Sequence, residues 1–436
     1  MAEGGRRLYA VVPPWLQDFG PYPERTVSGR RNLLLITGNM PGRCDAGRIW
    51  QSRFDRFLLG YGLRQCVTDL RVWVLRTMLG VLVIHDHVDD SRLTSTTPEA
   101  RSHFYRAWAA EFNSPPEALE LSENFTGLRH HRVGGQAVEI SCLGVIRSLA
   151  ELIAPHPVGG SMPHDVPLPS DALRRLQEGP SPRNPLCPEK VPLARQIGGT
   201  VGFITNMVRC DAHFAYCVVS RYLSEARLTN LAFRFLLRLA NYIVSTKELC
   251  LTLAAPRGPR GSLDLFSVYA DSSHGNADDG RSYGGYVLLC EDGTVDQASQ
   301  GRGAFAWKCE APPDADDSCG GAELKMVTRA VKYTIAARTI QRDLNLGIAP
   351  LRPTVVYTDA SAVIQGRGGE RMTKSTRWLG TRYAMLRWVE YCRIVRMGQV
   401  DSAANCGDLM TKCLVGPTFF RHRATVLGIK AGAGAE

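Results

Sequence analysis

Two periodicities organise the apolar and polar positions along the 436-residue chain. Trp50, Phe54 and Phe57 recur at the spacing of one helix face, and Asp45 precedes them at a position suited to an N-terminal cap. The stretch 80–90 is instead a continuous apolar run that ends in adjacent acids, which is typical of a buried strand entering a tight turn. The pattern therefore predicts mixed α and β structure.

Apolar runs that end on an acid also occur in the C-terminal half. Thr354–Thr358 is rich in β-branched residues and precedes Asp359, while the run 265–270 precedes Asp271. Glu323 begins a long helical pattern over 324–344, and Asp408 lies near the start of a short predicted helix. A single acid in such a place is equally typical of a turn or a helix cap.

These four acids together indicate a metal site. Magnesium prefers carboxylate oxygens and keeps several waters, so three or four carboxylates suit it. Two such ions side by side can hold the attacking and leaving oxygens of a phosphodiester.

The order of these acids, strand-Asp, helix-Glu, strand-Asp and helix-Asp, resembles the ribonuclease H domain of copia-type long-terminal-repeat retrotransposon polyproteins. The neighbouring sequences are more specific than the acids. Asp278–Val287 resembles the family's strand-turn-strand, Ala304–Lys308 its segment ending in Trp and a basic residue, and Asp408–Lys412 its Asp-Leu-Leu-Thr-Lys sequence. Ala322 precedes Glu323 as in the family. The resemblance covers 263–428.

The resemblance implies metal-dependent hydrolysis of the RNA strand of an RNA–DNA hybrid, with Mg²⁺ or Mn²⁺ as cofactor. Two departures concern other residues: Ala360 stands where the family prefers Asn, and 377–379 replace a Lys-His-Ile sequence. Which acid would hold which ion stays open. The implied catalytic and metal-binding residues are Asp271, Glu323, Asp359 and Asp408.

A second resemblance is to the catalytic hairpin of a reverse transcriptase palm. His87-Val88-Asp89-Asp90 is similar to the family's Tyr-Val-Asp-Asp, with His in place of Tyr, and 61–66 also resembles the palm. Asp89 and Asp90 are thus implied to be a remnant of the polymerase site.

A polymerase palm needs a further carboxylate on a separate strand. In the family it lies upstream of the segment that 8–20 resembles, so we expect this chain to lack it. None of the acids before the palm helix ends an apolar strand, and we predict no polymerase activity from this chain alone. These acids are Glu3, Asp18, Glu24 and Asp45.

The predicted fold class is α/β and α+β: a partial reverse transcriptase palm with a helical thumb or connection, then a ribonuclease H-like mixed sheet flanked by helices. Ten of the 25 prolines fall between Pro155 and Pro192, which indicates a linker or an ordered but irregular loop. The predicted domains are the truncated palm 1–153, the Pro-rich linker 154–193, the helical thumb or connection 194–255 and the ribonuclease H-like domain 262–430.

The excess of basic residues leads to the hypothesis that the chain binds nucleic acid. The formal net charge is +10, and 366–423 holds eleven Lys or Arg against four acids. Such an excess beside carboxylates suits a polyanionic partner, here an RNA–DNA hybrid or other nucleic acid. The alternative is a solvated helix face without a specific partner. The candidate nucleic-acid-binding residues are Arg367, Arg371, Lys374, Arg377 and Arg382.

Several classes of protein are disfavoured. No apolar run reaches the ~18–20 residues of a membrane helix, and the N-terminus lacks the apolar core of a signal peptide. Thirteen cysteines without a Cys-x-x-Cys pair argue against a zinc ribbon and a disulfide framework, so we expect an intracellular location, cytoplasmic or nuclear. The alternative to an enzyme is a catalytically dead retroelement relic or a nucleic-acid-binding protein.

Overall fold

The chain forms two compact units, Met1–Glu117 and Ala118–Glu436, in a computed structural model. None of the helices in the described part of the chain is long and apolar enough to cross a bilayer. The structure describes residues 8–11, 33–36, 45–88, 90–113, 124–133, 137–156, 165–254, 266–290, 303–314, 316–344, 352–368 and 379–429.

The first unit contains an antiparallel sheet and two longer helices. The sheet has the strand order β3-β4-β5-β6, and β1 pairs separately with β2. The predicted helix is present and follows Asp45, although the side chain of Asp45 makes no capping hydrogen bond. The elements of the first unit are β1 (Leu8–Val11), β2 (Leu33–Ile36), α1 (Ala46–Tyr61), β3 (Arg64–Gln65), β4 (Val72–Thr77), β5 (Gly80–His87), β6 (Asp90–Ser95) and α2 (Pro98–Phe112).

Aromatic side chains hold the two helices of the first unit together. The predicted apolar face of α1 stacks Trp50 on Phe54, with ring centroids 5.9 Å apart. Phe54 and Phe57 each meet Trp108 of α2 edge-on, at 5.3 and 6.0 Å. Edge-to-face pairs at these separations add to the stabilisation from burial. Trp73 of β4 is fully buried in the same core.

The second unit is larger and contains two sheets. Short 3₁₀ helices at Pro188–Lys190, Cys210–Ala212, Ser402–Ala404 and Cys406–Met410 complete it. Its strands and longer helices are β7 (Asn124–Phe125), β8 (Leu128–Val133), β9 (Ala137–Ser141), α3 (Leu143–Ile153), α4 (Ala172–Gln177), α5 (Val191–Met207), α6 (His213–Ser220), α7 (Asn230–Ser245), β10 (Leu251–Ala254), β11 (Phe266–Ser273), β12 (Tyr283–Cys290), β13 (Ala304–Glu310), α8 (Cys319–Leu344), β14 (Thr354–Thr358), α9 (Ser361–Gly368), α10 (Gly380–Tyr391), β15 (Val395–Gln399) and α11 (Gly416–Leu427).

The predicted fold class is confirmed, because the C-terminal part is a mixed sheet with helices packed on it. The strand order is β13-β12-β11-β14-β15. Strands β11 to β13 pair antiparallel, whereas β14 joins β11 and β15 in parallel. Apolar residues of α8 and α10 pack against the sheet in one buried cluster.

A strand pairing in the second unit joins segments that lie far apart in the sequence. Strand β10 pairs with β9 in the register Leu251↔Ile140, so the predicted palm segment 1–153 contributes to both compact units. A pairing between strands more than a hundred residues apart leaves no periodicity in the sequence. In the described part of the predicted linker, Val166 and Leu168 are buried and α4 is helical.

A buried ion pair supports the helical part of the second unit. Arg209 donates two hydrogen bonds to the carboxylate of Asp211, at 2.9 and 2.8 Å, and both side chains are fully buried. Tyr242 of α7 donates to the same carboxylate at 2.5 Å. Both charges are therefore compensated inside the core. This indicates a structural role for Arg209 and Asp211.

Candidate metal-binding active site

Sheet register brings two of the four predicted acids together. Strands β11 and β14 run parallel, with Tyr269 opposite Tyr357. Two residues further on, the same register places Asp271 beside Asp359, which directly follows β14. The sequence predicted that the first strand would stop at Asp271. It continues to the end of β11 instead, because Asp271 still pairs with Gly285 of β12.

The third acid reaches the site because two glycines allow a close approach. The 3₁₀ helix Cys406–Met410 carries Asp408 and lies against β11 and β12. A Cβ on Gly285 would overlap the Cβ of Met410. A Cβ on Gly407 would lie 3.2 Å from the Cβ of Asp271. Larger side chains at either position would therefore push Asp408 away from the sheet.

The carboxylates form one cluster. Asp271, Asp359 and Asp408 each offer an oxygen atom, and these atoms lie within 4.8 Å of one another. Glu323, in the N-terminal part of α8, accepts a hydrogen bond from the backbone N–H of Ser272. Its Oε2 atom is buried and has no hydrogen-bond partner. Three of the four predicted acids therefore form the cluster, and Glu323 lies near enough for the charges of Asp271 and Asp359 to act on it.

Burial and mutual repulsion raise the pKa values of Asp271, Glu323 and Asp408. Burial and then the charges of Asp271 and Asp359 raise the pKa of Glu323 to about 9. Burial and neighbouring Asp271 raise the pKa of Asp408 to about 7. Burial likewise raises the pKa of Asp271, against the opposing effect of Lys412. The cluster is short of positive charge, as expected where a cation is to bind.

Polar neighbours orient the carboxylates, and sequence reasoning did not assign them this role. Ser402 donates a hydrogen bond to Oδ2 of Asp359 at 2.5 Å, and Asn405 donates to Oδ1 at 3.3 Å. Asn405 also caps the next 3₁₀ helix by accepting from the N–H of Gly407 at 3.1 Å. Thr411 donates to Asp271. Sequence signals existed for Asn405, which precedes a small-residue helix start, and for Thr411, which lies in the stretch Asp408–Lys412 that resembles the family.

Lys412 is the cation nearest to the cluster among the interactions observed. Its Nζ lies 2.7 Å from Oδ1 of Asp408 and 3.3 Å from Oδ2 of Asp271. Burial acts to lower the pKa of this amine, but Asp271 and then Asp408 outweigh that effect, and the pKa is raised. Lys412 therefore stays protonated and neutralises part of the site.

The acids of the first unit are arranged differently. Asp90 begins β6 opposite His87 and is exposed, and Val88 in the intervening turn has a φ of +53°. Asp89 lies outside the described residues. Asp86, which sequence reasoning passed over, is fully buried and accepts from Arg71 at 3.1 Å and from Gln51 at 2.6 Å. Within the described ranges, the one group of three side chains placed so that they could hold a metal ion is Asp271, Asp359 and Asp408.

The predicted nucleic-acid-binding residues lie in and around α9 and α10. Arg367 is half-buried and forms an ion pair with Glu390 at 2.5 Å, so its charge already has a partner. Arg382 is half-buried on α10. Arg371, Lys374 and Arg377 lie outside the described residues.

No protein-family model and no curated protein matches the chain. Similar solved structures include the N-terminal RNase H domain of rv2228c from Mycobacterium tuberculosis, solved as a maltose-binding-protein fusion. It is 16% identical over 34% of this chain and 89% of that one, with a TM-score of 0.24. LC11-RNase H1, solved with an RNA/DNA hybrid, is 13% identical over 32% of this chain and 88% of that one, at 0.22.

A foamy viral protease-reverse transcriptase, solved with double-stranded DNA, is also similar. It is 13% identical over 85% of this chain and 61% of that one, with a TM-score of 0.40. These three solved structures are thus two ribonuclease H domains and a reverse transcriptase. At this distance they say nothing about what this chain does, and its function has to be inferred from the carboxylates themselves.

Proposed function

We propose that the second unit hydrolyses the RNA strand of an RNA–DNA hybrid with Mg²⁺ or Mn²⁺. The observation that supports this proposal is the convergence of Asp271, Asp359 and Asp408 from three separate segments. In the proposal Glu323, on which the charges of Asp271 and Asp359 act, is the fourth ligand. Repelling carboxylates are costly to bury together, so a cluster of this kind is expected where a cation compensates it.

The residues present fit divalent metal ions. The donors are all carboxylate oxygens, which are the ligands that Mg²⁺ prefers. The buried and unpartnered Oε2 of Glu323 provides one further acceptor for a cation. When bound, such ions would activate a water and stabilise the leaving oxygen of a phosphodiester.

The chain's own residues would hold the ligands in place. Ser402 and Asn405 fix the two oxygens of Asp359, and Thr411 fixes one oxygen of Asp271. Asp271 and Asp408 are almost completely shielded from solvent, at 1% and 7% exposure. Little reorganisation is then needed when charge develops at the reacting phosphate.

Sugar recognition would distinguish the hybrid from DNA. A protein tells RNA from DNA by the 2′-hydroxyl and by groove shape, so we propose cleavage without sequence preference. Arg382, with Arg371, Lys374 and Arg377, would contact phosphates in this proposal. Arg367 would act by holding Glu390 instead.

We further propose a copia-type retrotransposon origin, with the domain assignments predicted above. The proposal includes loss of polymerase activity, because Asp90 is exposed and belongs to no cluster of three potential ligands among the described residues. In the described part of the chain the cysteines are free thiols, in keeping with the proposed cytoplasmic or nuclear location.

One observation favours a catalytically dead relic or a nucleic-acid-binding protein. Lys412 already pairs with Asp271 and Asp408, and thereby supplies charge that a metal ion would otherwise supply. In this alternative the fold and the cluster persist without hydrolysis, and the protein binds duplexes in a salt-dependent manner.

Cleavage of an RNA–DNA hybrid labelled at one RNA end tests the proposal. The wild type is expected to cut the RNA strand with Mg²⁺ or Mn²⁺, and to stop in EDTA. Asp359→Asn should lose this activity while keeping its thermal unfolding transition in EDTA. A folded wild type that leaves the hybrid intact with either metal contradicts the enzyme and supports the relic.

A further inference from the structure

An exposed aromatic pair lies on the outer face of α10. The helix buries Tyr383, Leu386 and Val389 against the sheet. On its opposite face Trp388 is 64% exposed and Tyr391 is 81% exposed. Their rings stack at a centroid distance of 5.9 Å and an angle of 28°. The two stacked rings form a platform whose outer faces are exposed among the described residues.

Unpaired positive charge surrounds this platform. Arg387 precedes Trp388 on the same face and Arg393 follows Tyr391, and both are exposed. Neither forms an ion pair with any residue in the described ranges. The one acid of α10, Glu390, is already engaged by Arg367 and by the N–H of Met397 at 2.8 Å. Nothing in the helix therefore neutralises the two guanidinium groups.

We propose that Trp388, Tyr391, Arg387 and Arg393, together the α10 patch, bind single-stranded nucleic acid. The ring faces would stack with bases, and the guanidinium groups would contact phosphates. Stacking of this kind requires unpaired bases, because the bases of a duplex already stack on one another. The charge argues against an apolar protein partner, since an apolar partner would leave two cations without a counter-charge.

The patch is separated from the carboxylates by the length of a strand. The segment after Tyr391 joins the sheet where β14 begins, with Thr354 donating a hydrogen bond to the carbonyl of Ile394 at 3.2 Å. Asp359 follows the other end of β14 and is five residues from Thr354. At about 3.3 Å per residue, this separation is ~17 Å. A single-stranded nucleic acid bound to the α10 patch would therefore be an unpaired extension beside the duplex. It would lie outside the cleavage site. The inference goes beyond the proposed hydrolysis and does not depend on it.

Fluorescence anisotropy of a labelled 15-nucleotide oligouridine tests the proposal with the full chain in EDTA, where no metal-dependent cleavage occurs. Trp388→Ala/Tyr391→Ala is expected to raise the Kd at least tenfold, since each stacked base contributes about 1–3 kcal/mol. Trp388→Phe/Tyr391→Phe should stay within about threefold of the wild type, because the ring faces are retained. Met78→Ala, which changes an exposed apolar side chain of the first unit, is the control.

Three results would overturn the proposal. The first is a wild type that does not bind the oligonucleotide, and the second is an alanine double variant with unchanged affinity. The third is a wild type that sediments as a dimer while the alanine variant is a monomer with unchanged affinity, which assigns the patch to a second copy of this chain. Hybrid cleavage by the alanine variant, measured separately with Mg²⁺, keeps a failure here distinct from a failure of the proposed hydrolysis.

Discussion

Both units place an acid near the end of an apolar strand, but they compensate its burial differently. In the first unit, buried Asp86 has Arg71 and Gln51 as partners, and Asp90 at the hairpin is exposed. In the second, Asp271 of β11 is buried beside Asp408, with Lys412 as a partial counter-charge. A compensated buried acid holds a fold together, whereas an under-compensated cluster has capacity for a cation. The contrast separates a structural carboxylate from a candidate ligand.

The largest expected effect compares the two groups of acids in one assay. Asp408→Asn should lower the rate of hybrid cleavage on the order of a thousandfold. The substitution removes a charged metal ligand, and metal stabilisation of the transition state contributes several kcal/mol to lowering the barrier. Asp90→Asn should leave the rate unchanged. End-labelled cleavage with Mg²⁺ measures both, and an equal loss in Asp90→Asn would contradict the separation of the two groups.

The next effect concerns stability without metal. The pKa of Glu323 is about 9 in the folded chain against an ordinary 4.5, so the folded state favours the protonated form. The contribution of protonated Glu323 to wild-type stability is then fully present below pH 4.5 and is lost as the pH rises toward 9. Glu323→Gln does not ionise and should raise the Tm at pH 7 on the order of 5 °C in EDTA.

Thermal unfolding at pH 4.5, 7 and 9 measures this difference. The gain should be near zero at the lowest pH and largest at the highest. Saturating Mg²⁺ should stabilise the wild type more than Glu323→Gln. A gain of the same size at every pH would show that the substitution acts through packing and not through ionisation.

A smaller effect is expected for the compensated acid of the first unit. Arg71→Ala leaves buried Asp86 without its cation and should lower the free energy of unfolding of that unit by about 2 kcal/mol. The arginine is partly exposed, which reduces the loss. Urea unfolding followed by the fluorescence of the buried Trp73 measures it, and Arg64→Ala, at an exposed position of the same sheet, is the control. An unchanged midpoint would mean that Gln51 and water suffice.

The smallest effect concerns Lys412. If its ammonium competes with metal for Asp271 and Asp408, Lys412→Met should lower the Mn²⁺ concentration for half-saturation about fivefold, or roughly 1 kcal/mol. Calorimetric titration measures this independently of cleavage, and Lys332→Met on the exposed side of α8 is the matched control. Weaker Mn²⁺ binding by Lys412→Met would show that the lysine supports the site instead.

Local pattern found the elements that carry chemistry. The strand before Asp359 and the helix that follows Asp45 both appear where their periodicity predicted them. Boundaries were less well predicted: β11 continues past Asp271 because β12 supplies partners for two more residues. The pairing of β10 with β9 left no signal, since it depends on residues far away in the chain.

The sequence by itself determined which side chains are available: four acids at strand and helix ends, a basic C-terminal part, and apolar periods that require mixed α and β structure. Only the tertiary structure decided which acids meet. The parallel register sets Asp271 beside Asp359, and glycines at 285 and 407 admit Asp408. Burial and the nearby acids Asp271 and Asp359 raise the pKa of Glu323. The fold also places Arg71 beside buried Asp86. The reason is physical: propensity acts between neighbours in the chain, whereas electrostatic repulsion and desolvation act between neighbours in space.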